Sequence, residues 1–302
     1  GTAIKFGIIN EIGKIRHEDI LPTNAESALL VVENLKLAIR KCLKVSEQQK
    51  IKVSGVGLGT PGIVDLSYRI VLGGADNIEG WVNVHLAELL EAEFPLPVFL
   101  NNDANIMGLG EQWQGAARGC SDVVFLTVGT GIGGAVIIDG KLYGGYANRG
   151  TELGHIPLDI NGKPCTCGSI GCLEAYASTS ALVEEYIALV GSKKTTDEVN
   201  GKWVVEEYHK GVPEAVEVMN NHFLYLGRGI AALVNIFSPQ KVVIGGGISE
   251  AGEFYVENIS DVFKNYAMPD CAKNTTVCSA TLGNKAGLFG ATRWALNLLE
   301  EN

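Results

Sequence analysis

The chain has 302 residues, of which 46% are hydrophobic and 19% are charged, and its formal net charge is −10 at pH 7. A chain of this length can form two domains, each with its own hydrophobic core, and this composition excludes a disordered chain. The acidic balance disfavours nucleic acid as a partner, and no run of eighteen apolar residues predicts a membrane span. Residues 1–9 are too short for a signal peptide and lack its basic n-region. The seven cysteines show no disulfide framework, so a reduced, cytoplasmic protein is expected.

The first half of the chain predicts a hairpin, a helix, a strand, a second strand and a helix, in that order. The hairpin has its turn at 11–14, and Asn24 is a plausible N-cap for the first helix. The predicted strands are 2–9, 15–20, 51–58 and 96–100, and the predicted helices are 26–43 and a segment running from the last strand through Trp113.

The second half repeats this layout. The signal Asp139-Gly140 predicts a hairpin turn, and the polar segment 191–210 is interpreted as a surface excursion. The predicted strands are 123–128, 135–138, 241–244 and 276–280, and the predicted helices are 178–190, 213–237, 252–266 and 285–299.

The repetition indicates a duplicated α/β fold. The expected N-terminal domain is 1–118, completed by the C-terminal helix 286–302, and the expected C-terminal domain is 119–285. Ligands of such folds bind at the carboxyl ends of strands, in the crevice between halves.

Three cysteines lie within eight residues of one another, at Cys165, Cys167 and Cys172, and His155 lies just upstream. This donor set can close a tetrahedral Cys3His site around zinc. The alternative is a chance cluster of reduced cysteines. Glycines at 168 and 171 favour the metal site, because they permit the tight turns that a metal knuckle needs. Glu152 and Glu174 flank the cluster and suggest a rigid site for a small polar ligand.

Two glycine-rich turns follow predicted strands, Gly129-Thr-Gly-Ile-Gly-Gly134 and Gly245-Gly-Gly247. The first can present backbone N–H groups to phosphate oxygens, and the second can let a nucleoside approach the backbone. Each can equally be a tight structural turn. Neither has the form of a P-loop or of a Rossmann fingerprint.

Asp103 follows a hydrophobic strand within the run Asn101-Asn-Asp-Ala-Asn105. A carboxylate there can accept a proton from a substrate hydroxyl as that hydroxyl attacks phosphorus. The alternative is that the run only caps a helix, because Asn and Asp favour that position. The two roles can fall on different residues.

These stretches together make the chain resemble the ROK family of sugar kinases and sugar-responsive repressors, from residue 1 to about residue 295. The combination of Glu-x-Gly-His with Cys-x-Cys-x4-Cys is highly specific. The matching stretches are Leu58-Gly-Thr-Pro-Gly62, Ala75-Asp-Asn-Ile-Glu-Gly-Trp81, Asn101-Asn-Asp-Ala-Asn105, Val128-Gly-Thr-Gly-Ile-Gly-Gly134, Glu152-Leu-Gly-His155, Cys165-Thr-Cys-Gly168, Gly171-Cys-Leu-Glu174, Ile244-Gly-Gly-Gly247 and Gly283-Asn-Lys-Ala-Gly-Leu-Phe-Gly290.

The resemblance implies two actin-like, RNase-H-like α/β domains with an interdomain cleft and a structural zinc knuckle. It implies Asp103 as the general base, ATP with Mg2+ as the phosphoryl donor, and a homodimer or higher homo-oligomer. The implied sugar-binding residues are Gly74, Asn77, Asn102, Asp103, Glu152, His155 and Glu174. The implied nucleotide-binding residues are Gly1, Thr2, Thr130, Gly131, Gly245, Gly246 and Gly247, and the implied zinc ligands are His155, Cys165, Cys167 and Cys172.

Two stretches depart from the family pattern. Only Gly1-Thr2 remains of an opening strand that ends Asp-x-Gly-Gly-Thr in the family, so the natural chain is expected to begin further upstream. The alternative is a molecule impaired as a kinase. Asn148-Arg-Gly-Thr151 stands where Gly-x-Ala-Gly is commoner, which blurs the choice of sugar.

Three functions compete at this point. The leading one is an ATP-dependent hexose kinase acting on O6 of glucose or a related aldohexose, with N-acetylmannosamine, N-acetylglucosamine, fructose or allose as alternative substrates. The second is a sugar-sensing repressor-type module without kinase activity. The third is a non-catalytic, zinc-stabilised partner-binding protein.

Overall fold

A computed structural model describes residues 3–75, 77–191 and 199–301. In chain order its strands and helices are β1 (Ala3–Ile9), β2 (Ile15–Pro22), α1 (Ala28–Gln49), β3 (Val56–Thr60), β4 (Ile63–Val64), β5 (Val71–Gly73), α2 (Leu86–Glu91), β6 (Val98–Asn102), α3 (Asp103–Gln114), β7 (Val123–Val128), β8 (Ile132–Ile138), β9 (Lys141–Leu142), α4 (Glu174–Ala177), α5 (Thr179–Val190), α6 (Gly201–His209), α7 (Pro213–Phe237), β10 (Lys241–Gly245), α8 (Glu253–Tyr266), α9 (Pro269–Ala272), β11 (Thr276–Ser279) and α10 (Ala286–Glu301). The predicted α/β class is confirmed.

The described residues separate into two compact units. The first draws on Gly1–Arg118, Leu142–Gly150 and Asn284–Asn302, and the second on Gly119–Lys141 and Thr151–Gly283. The loop Leu142–Gly150 therefore belongs to the first unit, whereas the sequence-based division placed it in the second. One reason is local, because Nδ2 of Asn148 donates to the carbonyl oxygen of Val64 at 3.0 Å.

In the first unit, β1 and β2 form an antiparallel hairpin, and β3 pairs with β6 in parallel. The parallel register puts Thr60 opposite Asn102, so both strands end at the same edge. The apolar core of this unit includes Val71, Trp81 and Leu100, each almost fully buried. Residues that follow β3 and β6 are thereby held on a rigid edge.

Helices α3 and α10 of the first unit pack with their backbones in contact. A Cβ added at Gly290 would lie 1.7 Å from the carbonyl oxygen of Ile106, and one added at Gly110 would lie 2.1 Å from that of Ala286. These distances are too short for any side chain, so each glycine permits the close approach of the two helices. The C-terminal helix thus helps fix α3, the helix that begins at Asp103.

In the second unit the sheet has the order β11-β10-β7-β8-β9. Strand β10 runs parallel to β7 and β11, while β8 runs antiparallel to β7. The register places Gly245 opposite Thr127, so the glycine turns after β7 and β10 lie at one edge. The predicted hairpin turn is present, with positive φ angles of 52° at Asp139 and 75° at Gly140.

Most predicted elements are confirmed within a few residues, and α7 matches its prediction of 213–237. The prediction of Asn24 as the N-cap of α1 is wrong. The N-cap is Ser27, whose side chain accepts a hydrogen bond from the backbone N–H of Leu30 at 3.4 Å. Asn24 instead has a φ of 51° in the chain before the helix.

The interpretation of 191–210 as a surface excursion is wrong over α6, where the side chain of Val204 is fully buried and that of Val205 nearly so. Apolar residues on one face of this short helix pack into the core, and Trp203 meets Tyr186 edge to face at 5.3 Å. Residues 192–198 lie outside the described residues. None of the helices in the described part of the chain combines the length and the apolar character needed to cross a bilayer.

Candidate functional site

The donor atoms of His155, Cys165, Cys167 and Cys172 all lie within 4.8 Å of one another. Nδ1 of His155 is 3.6 Å from Sγ of Cys165, and Sγ of Cys167 is 3.7 Å from Sγ of Cys172. A tetrahedral zinc ion requires edges of about 3.6 Å between imidazole nitrogen and sulfur and about 3.8 Å between sulfurs, given its usual bond lengths. The donor set therefore fits zinc in both chemistry and spacing.

Backbone hydrogen bonds fold the loop that carries these donors. The N–H of Cys165 donates to the carbonyl of Ser169 at 2.8 Å, and the N–H of Leu158 donates to Gly171 at 2.7 Å. Gly171 has a φ of 71°, and a Cβ there would lie 1.6 Å from the carbonyl oxygen of Asp159. A side chain at this position is excluded, so the glycine is required by the loop itself.

The environment of the thiols differs from one cysteine to the next. Cys172 is almost fully buried, and this burial raises the pKa of its thiol. A metal ion would reverse the direction, because a coordinated cysteine binds as the thiolate. Without a metal this sulfur is favoured as the neutral thiol, so zinc binding there would have to displace its proton.

The two predicted acidic residues flank the metal loop in different ways. Glu152 is exposed and precedes a 3₁₀ turn, Leu153–His155, where the N–H of His155 donates to its carbonyl at 3.0 Å. Glu174 begins α4, and its Oε1 accepts from the hydroxyl of Thr166 at 3.0 Å and lies 3.9 Å from Sγ of Cys165. The structure thus brings Glu174 next to the cysteine loop.

The other predicted groups lie in the first unit, where Asn102 provides the N-cap of α3. Its Oδ1 accepts from the N–H groups of Ala104 at 2.9 Å and Asn105 at 3.3 Å. Its Nδ2 donates to the carbonyl of Gly62 at 3.1 Å. Both predicted roles of the run are therefore available, because Asn102 takes the cap and Asp103 becomes the first residue of the helix.

The carboxylate of Asp103 is reachable by solvent, and its Oδ1 accepts from the N–H of Ala104 at 2.9 Å. Surrounding protein atoms are nonetheless dense enough that desolvation raises the pKa of Asp103, against the lowering effect of that hydrogen bond. A raised pKa strengthens a carboxylate as a proton acceptor.

Gly74 and Asn77 follow β5 in the same unit. A Cβ at Gly62 would lie 2.2 Å from the carbonyl of Gly73, so the segment of Gly74 packs against the residue that Asn102 contacts. Asn77 is exposed.

The end of strand β3 is also held by a hydrogen bond between two side chains, of Trp81 and Thr60, that the sequence-based prediction did not assign to the site. The indole Nε1 of Trp81, whose side chain is buried, donates to Oγ1 of Thr60 at 3.2 Å. Trp81 is the last residue of one of the family motifs quoted above, and that motif was the sequence signal that could have identified it.

Two backbone N–H groups in and next to the first glycine turn already donate hydrogen bonds within the protein. The N–H of Gly129 donates to the carbonyl of Gly131 at 2.9 Å, and the N–H of Ile132 donates to Oε2 of Glu174 at 2.8 Å. An added Cβ at Gly131 would lie 2.4 Å from that oxygen, whereas one at Gly129 would meet nothing within 4 Å. Thr130 is exposed at the tip. Gly131 thus leaves room for the carboxylate of Glu174 beside the turn, and the open side of the turn is at Gly129.

The second glycine turn lies beside the first. Gly246 has a φ of 93°, and a Cβ there would lie 2.1 Å from the carbonyl oxygen of Val128, the residue before the first turn. Space opens at Gly247, where an added Cβ would meet nothing within 4 Å. The two candidate nucleotide turns are therefore adjacent.

The predicted site residues fall into two groups. Gly74, Asn77, Asn102 and Asp103 are in the first unit, whereas Glu152, His155, Glu174, the cysteine ligands and both glycine turns are in the second. Gly1 and Thr2 lie outside the described residues. That the two groups share one sugar site stays a prediction.

The profile of the ROK family matches residues 1–297, so the chain belongs to the ROK family. A glucokinase of Halalkalibacterium halodurans is 35% identical over 306 residues, covering 96% of this chain and 91% of the relative.

Two solved structures have the same fold. The ROK hexokinase of Thermus thermophilus superimposes with a TM-score of 0.87 at 31% identity, covering 100% of this chain and 97% of that one. A ROK family glucokinase of Streptomyces griseus, in complex with glucose and AMPPNP, gives a TM-score of 0.82 at 33% identity, covering 97% of this chain and 95% of that one.

Proposed function

We propose that this ROK-family enzyme, an ATP-dependent phosphotransferase of the hexokinase type, phosphorylates O6 of glucose or of a related aldohexose with Asp103 as general base. The observation that carries the proposal is the division of labour at the start of α3. Asn102 caps the helix, so the carboxylate of Asp103 is not needed as the cap and stays accessible to solvent, while desolvation by the surrounding protein raises its pKa. Such a group can accept the proton of a hydroxyl that attacks phosphorus.

The other proposed sugar-binding residues are assigned from the hydrogen bonds that their side chains can form with sugar hydroxyls. Carboxylates accept hydrogen bonds from sugar hydroxyls, which suits Glu152 and Glu174. His155 faces the thiol of Cys165 through Nδ1, which leaves Nε2–H as a donor to the sugar. Gly74, Asn77 and Asn102 complete the proposed set on the first unit.

The Cys3His set would hold zinc as a structural ion. Four protein ligands leave no position for a substrate, so the ion supplies rigidity and no Lewis-acid chemistry. Zinc ligation would fix the imidazole of His155 and the loop that joins it to Glu152.

The two glycine turns are proposed as the nucleotide site. Thr130 and Gly131 would contact phosphate oxygens, and Gly245, Gly246 and Gly247 would contact the nucleoside. Their adjacency supports this assignment, since a nucleotide must reach both. Mg2+ is expected to accompany ATP, because phosphoryl transfer depends on charge neutralisation and positioning.

The test is an ADP-release assay over a panel of hexoses and N-acetylhexosamines, run in parallel with calorimetric sugar binding. The proposal expects ADP release that depends on an aldohexose and is lost in Asp103→Asn, while sugar binding persists. Sugar binding without ADP release for any sugar would favour the sugar-sensing alternative, a repressor-type module without kinase activity. ADP release with only an N-acetylhexosamine, fructose or allose would reassign the substrate.

A further inference from the structure

Ile132, the first residue of β8, contacts two segments that carry metal ligands. Its N–H donates to Oε2 of Glu174 at 2.8 Å. Its carbonyl oxygen packs against Gly154, where an added Cβ would lie 2.1 Å away. Gly154 directly precedes His155, and Glu174 follows Cys172 by two residues. The backbone N–H and the carbonyl of Ile132 therefore each meet a segment that carries proposed metal ligands, the first through a hydrogen bond and the second through close packing.

Glu174 also reaches the cysteine loop with its other oxygen. Oε1 accepts from the hydroxyl of Thr166 at 3.0 Å, and Thr166 stands between the ligands Cys165 and Cys167. One carboxylate thus joins the cysteine loop to the start of β8. Hydrogen bonds to an ionised carboxylate are stronger than neutral ones. Displacement of the cysteine loop would therefore move Glu174 and weaken its hydrogen bond with the N–H of Ile132.

The glycine turn lies directly against the same carboxylate. An added Cβ at Gly131 would lie 2.4 Å from Oε2 of Glu174, closer than any real side chain could be. Gly131 immediately precedes Ile132, so the hydrogen bond and the close packing act on neighbouring residues. The turn that is proposed to bind phosphates is therefore tied to Glu174 by the hydrogen bond from Ile132, and Gly131 lets the carboxylate lie against the turn.

We propose that Glu174 is a positioning residue for the nucleotide turn, and that through it zinc occupancy and nucleotide affinity depend on each other. This inference rests on the proposed nucleotide site and goes beyond the sugar contact assigned to Glu174. The two roles are compatible, because a carboxylate has about four acceptor positions and the protein donors Thr166 and Ile132 use two, or three while the thiol of Cys165 is protonated. Coupling of binding free energies is reciprocal, so each ligand must change the affinity of the other by the same factor.

The first test compares Thr166→Val, which removes the hydroxyl, with Thr166→Ser, which keeps it. Thr292→Val is the matched control, because Thr292 donates to the carbonyl of Leu288 within α10, in the other unit. Hydrogen exchange of the peptide containing Ile132, measured by mass spectrometry, should become faster only in Thr166→Val. The affinity for a non-hydrolysable ATP analogue should fall at least about fivefold in the same variant, the low end of typical coupling.

The second test uses the unsubstituted protein and therefore does not depend on how a variant folds. Zinc affinity is measured by competition with a chelator, with and without the ATP analogue, and the analogue's affinity is measured with and without zinc. The proposal expects two equal factors of about fivefold or more. Unchanged zinc affinity in the presence of the analogue, or equal exchange of Ile132 in Thr166→Val and the parent protein, would overturn it. Failure of the kinase proposal is distinguishable, since ADP release would then be absent while the analogue still responds to zinc.

Discussion

Replacement of Asp103 by Asn should separate catalysis from binding and from stability. The change keeps size and shape, and an amide oxygen can still accept from the N–H of Ala104, which now bonds to Oδ1 at 2.9 Å. The amide cannot take up a proton as a base, and it also lacks the negative charge of the carboxylate. Loss of a general base costs about 10²–10⁴-fold in rate, which corresponds to about 2.7–5.4 kcal/mol at about 1.36 kcal/mol per tenfold.

The raised pKa of Asp103 also predicts how this substitution changes stability with pH. A carboxyl whose pKa is higher in the folded state binds its proton more tightly there, so its ionised form opposes folding above the unfolded pKa. Asp103→Asn should therefore be at least as stable as the parent protein at neutral pH. Any gain should disappear as the pH falls through the folded pKa and below the ordinary value of 3.8, where both states of the parent are protonated.

The assay is a steady-state measurement of kcat and KM for the sugar, with thermal unfolding followed at pH 7 and at pH 3. We expect kcat to collapse, sugar affinity to stay within a few fold, and the variant to unfold no earlier than the parent at pH 7. The parent's kcat/KM should itself decline in acid, as Asp103 becomes protonated. A variant that keeps more than a tenth of the parent's kcat would refute the assignment of Asp103 as base. Loss of sugar binding together with stability would make the residue architectural.

Three further predictions concern the metal loop, the helix contact and a buried imidazole. Cys167→Ser should lower both the zinc content and the melting temperature, and a full equivalent of zinc in the purified variant would contradict the proposed ligand set. Gly290→Ala should destabilise the protein by about 1–3 kcal/mol, because its Cβ would overpack against the carbonyl of Ile106. Gly287→Ala in the same helix should be neutral or stabilising by up to about 1 kcal/mol, because an added Cβ there meets nothing within 4 Å. Denaturant unfolding of both variants measures the difference, and equal effects would count against the contact between α3 and α10. Burial lowers the pKa of His222 from 6.5 to about 4, so its unfolded form gains a proton first and stability should fall by as much as about 3 kcal/mol between pH 6.5 and 4; a His222→Gln variant whose stability falls equally over that range would exclude this cause.

The sequence predicts local structure well where one signal dominates. Asp139-Gly140 predicts its hairpin turn, and the apolar periodicity of α7 predicts both ends of that helix. It fails where short segments depend on tertiary contacts. Helix α6 is polar enough to resemble a loop, yet Val204 is buried by the helices around it. The short strands β4 and β5 and helix α2 carry too few residues for a periodic signal.

The candidate site shows the same contrast. The metal ligands are close in sequence, so their spacing predicts the cluster that the structure contains. The bond between Glu174 and Ile132 joins residues 42 positions apart, and no local pattern announces it. The glycine at 131 illustrates the difficulty, because its lack of a side chain suggests room for a phosphate, whereas the structure places a carboxylate there.

The contact between α3 and α10 has a consequence for biosynthesis. Gly110 and Gly290 hold together a helix near the first third of the chain and one near its end. During translation the earlier helix emerges long before its packing partner has been made, so the first unit cannot complete its fold while the second is still being synthesised. A premature stop before α10 should therefore leave the Asp103 helix without its partner even though every proposed catalytic and binding residue had been translated.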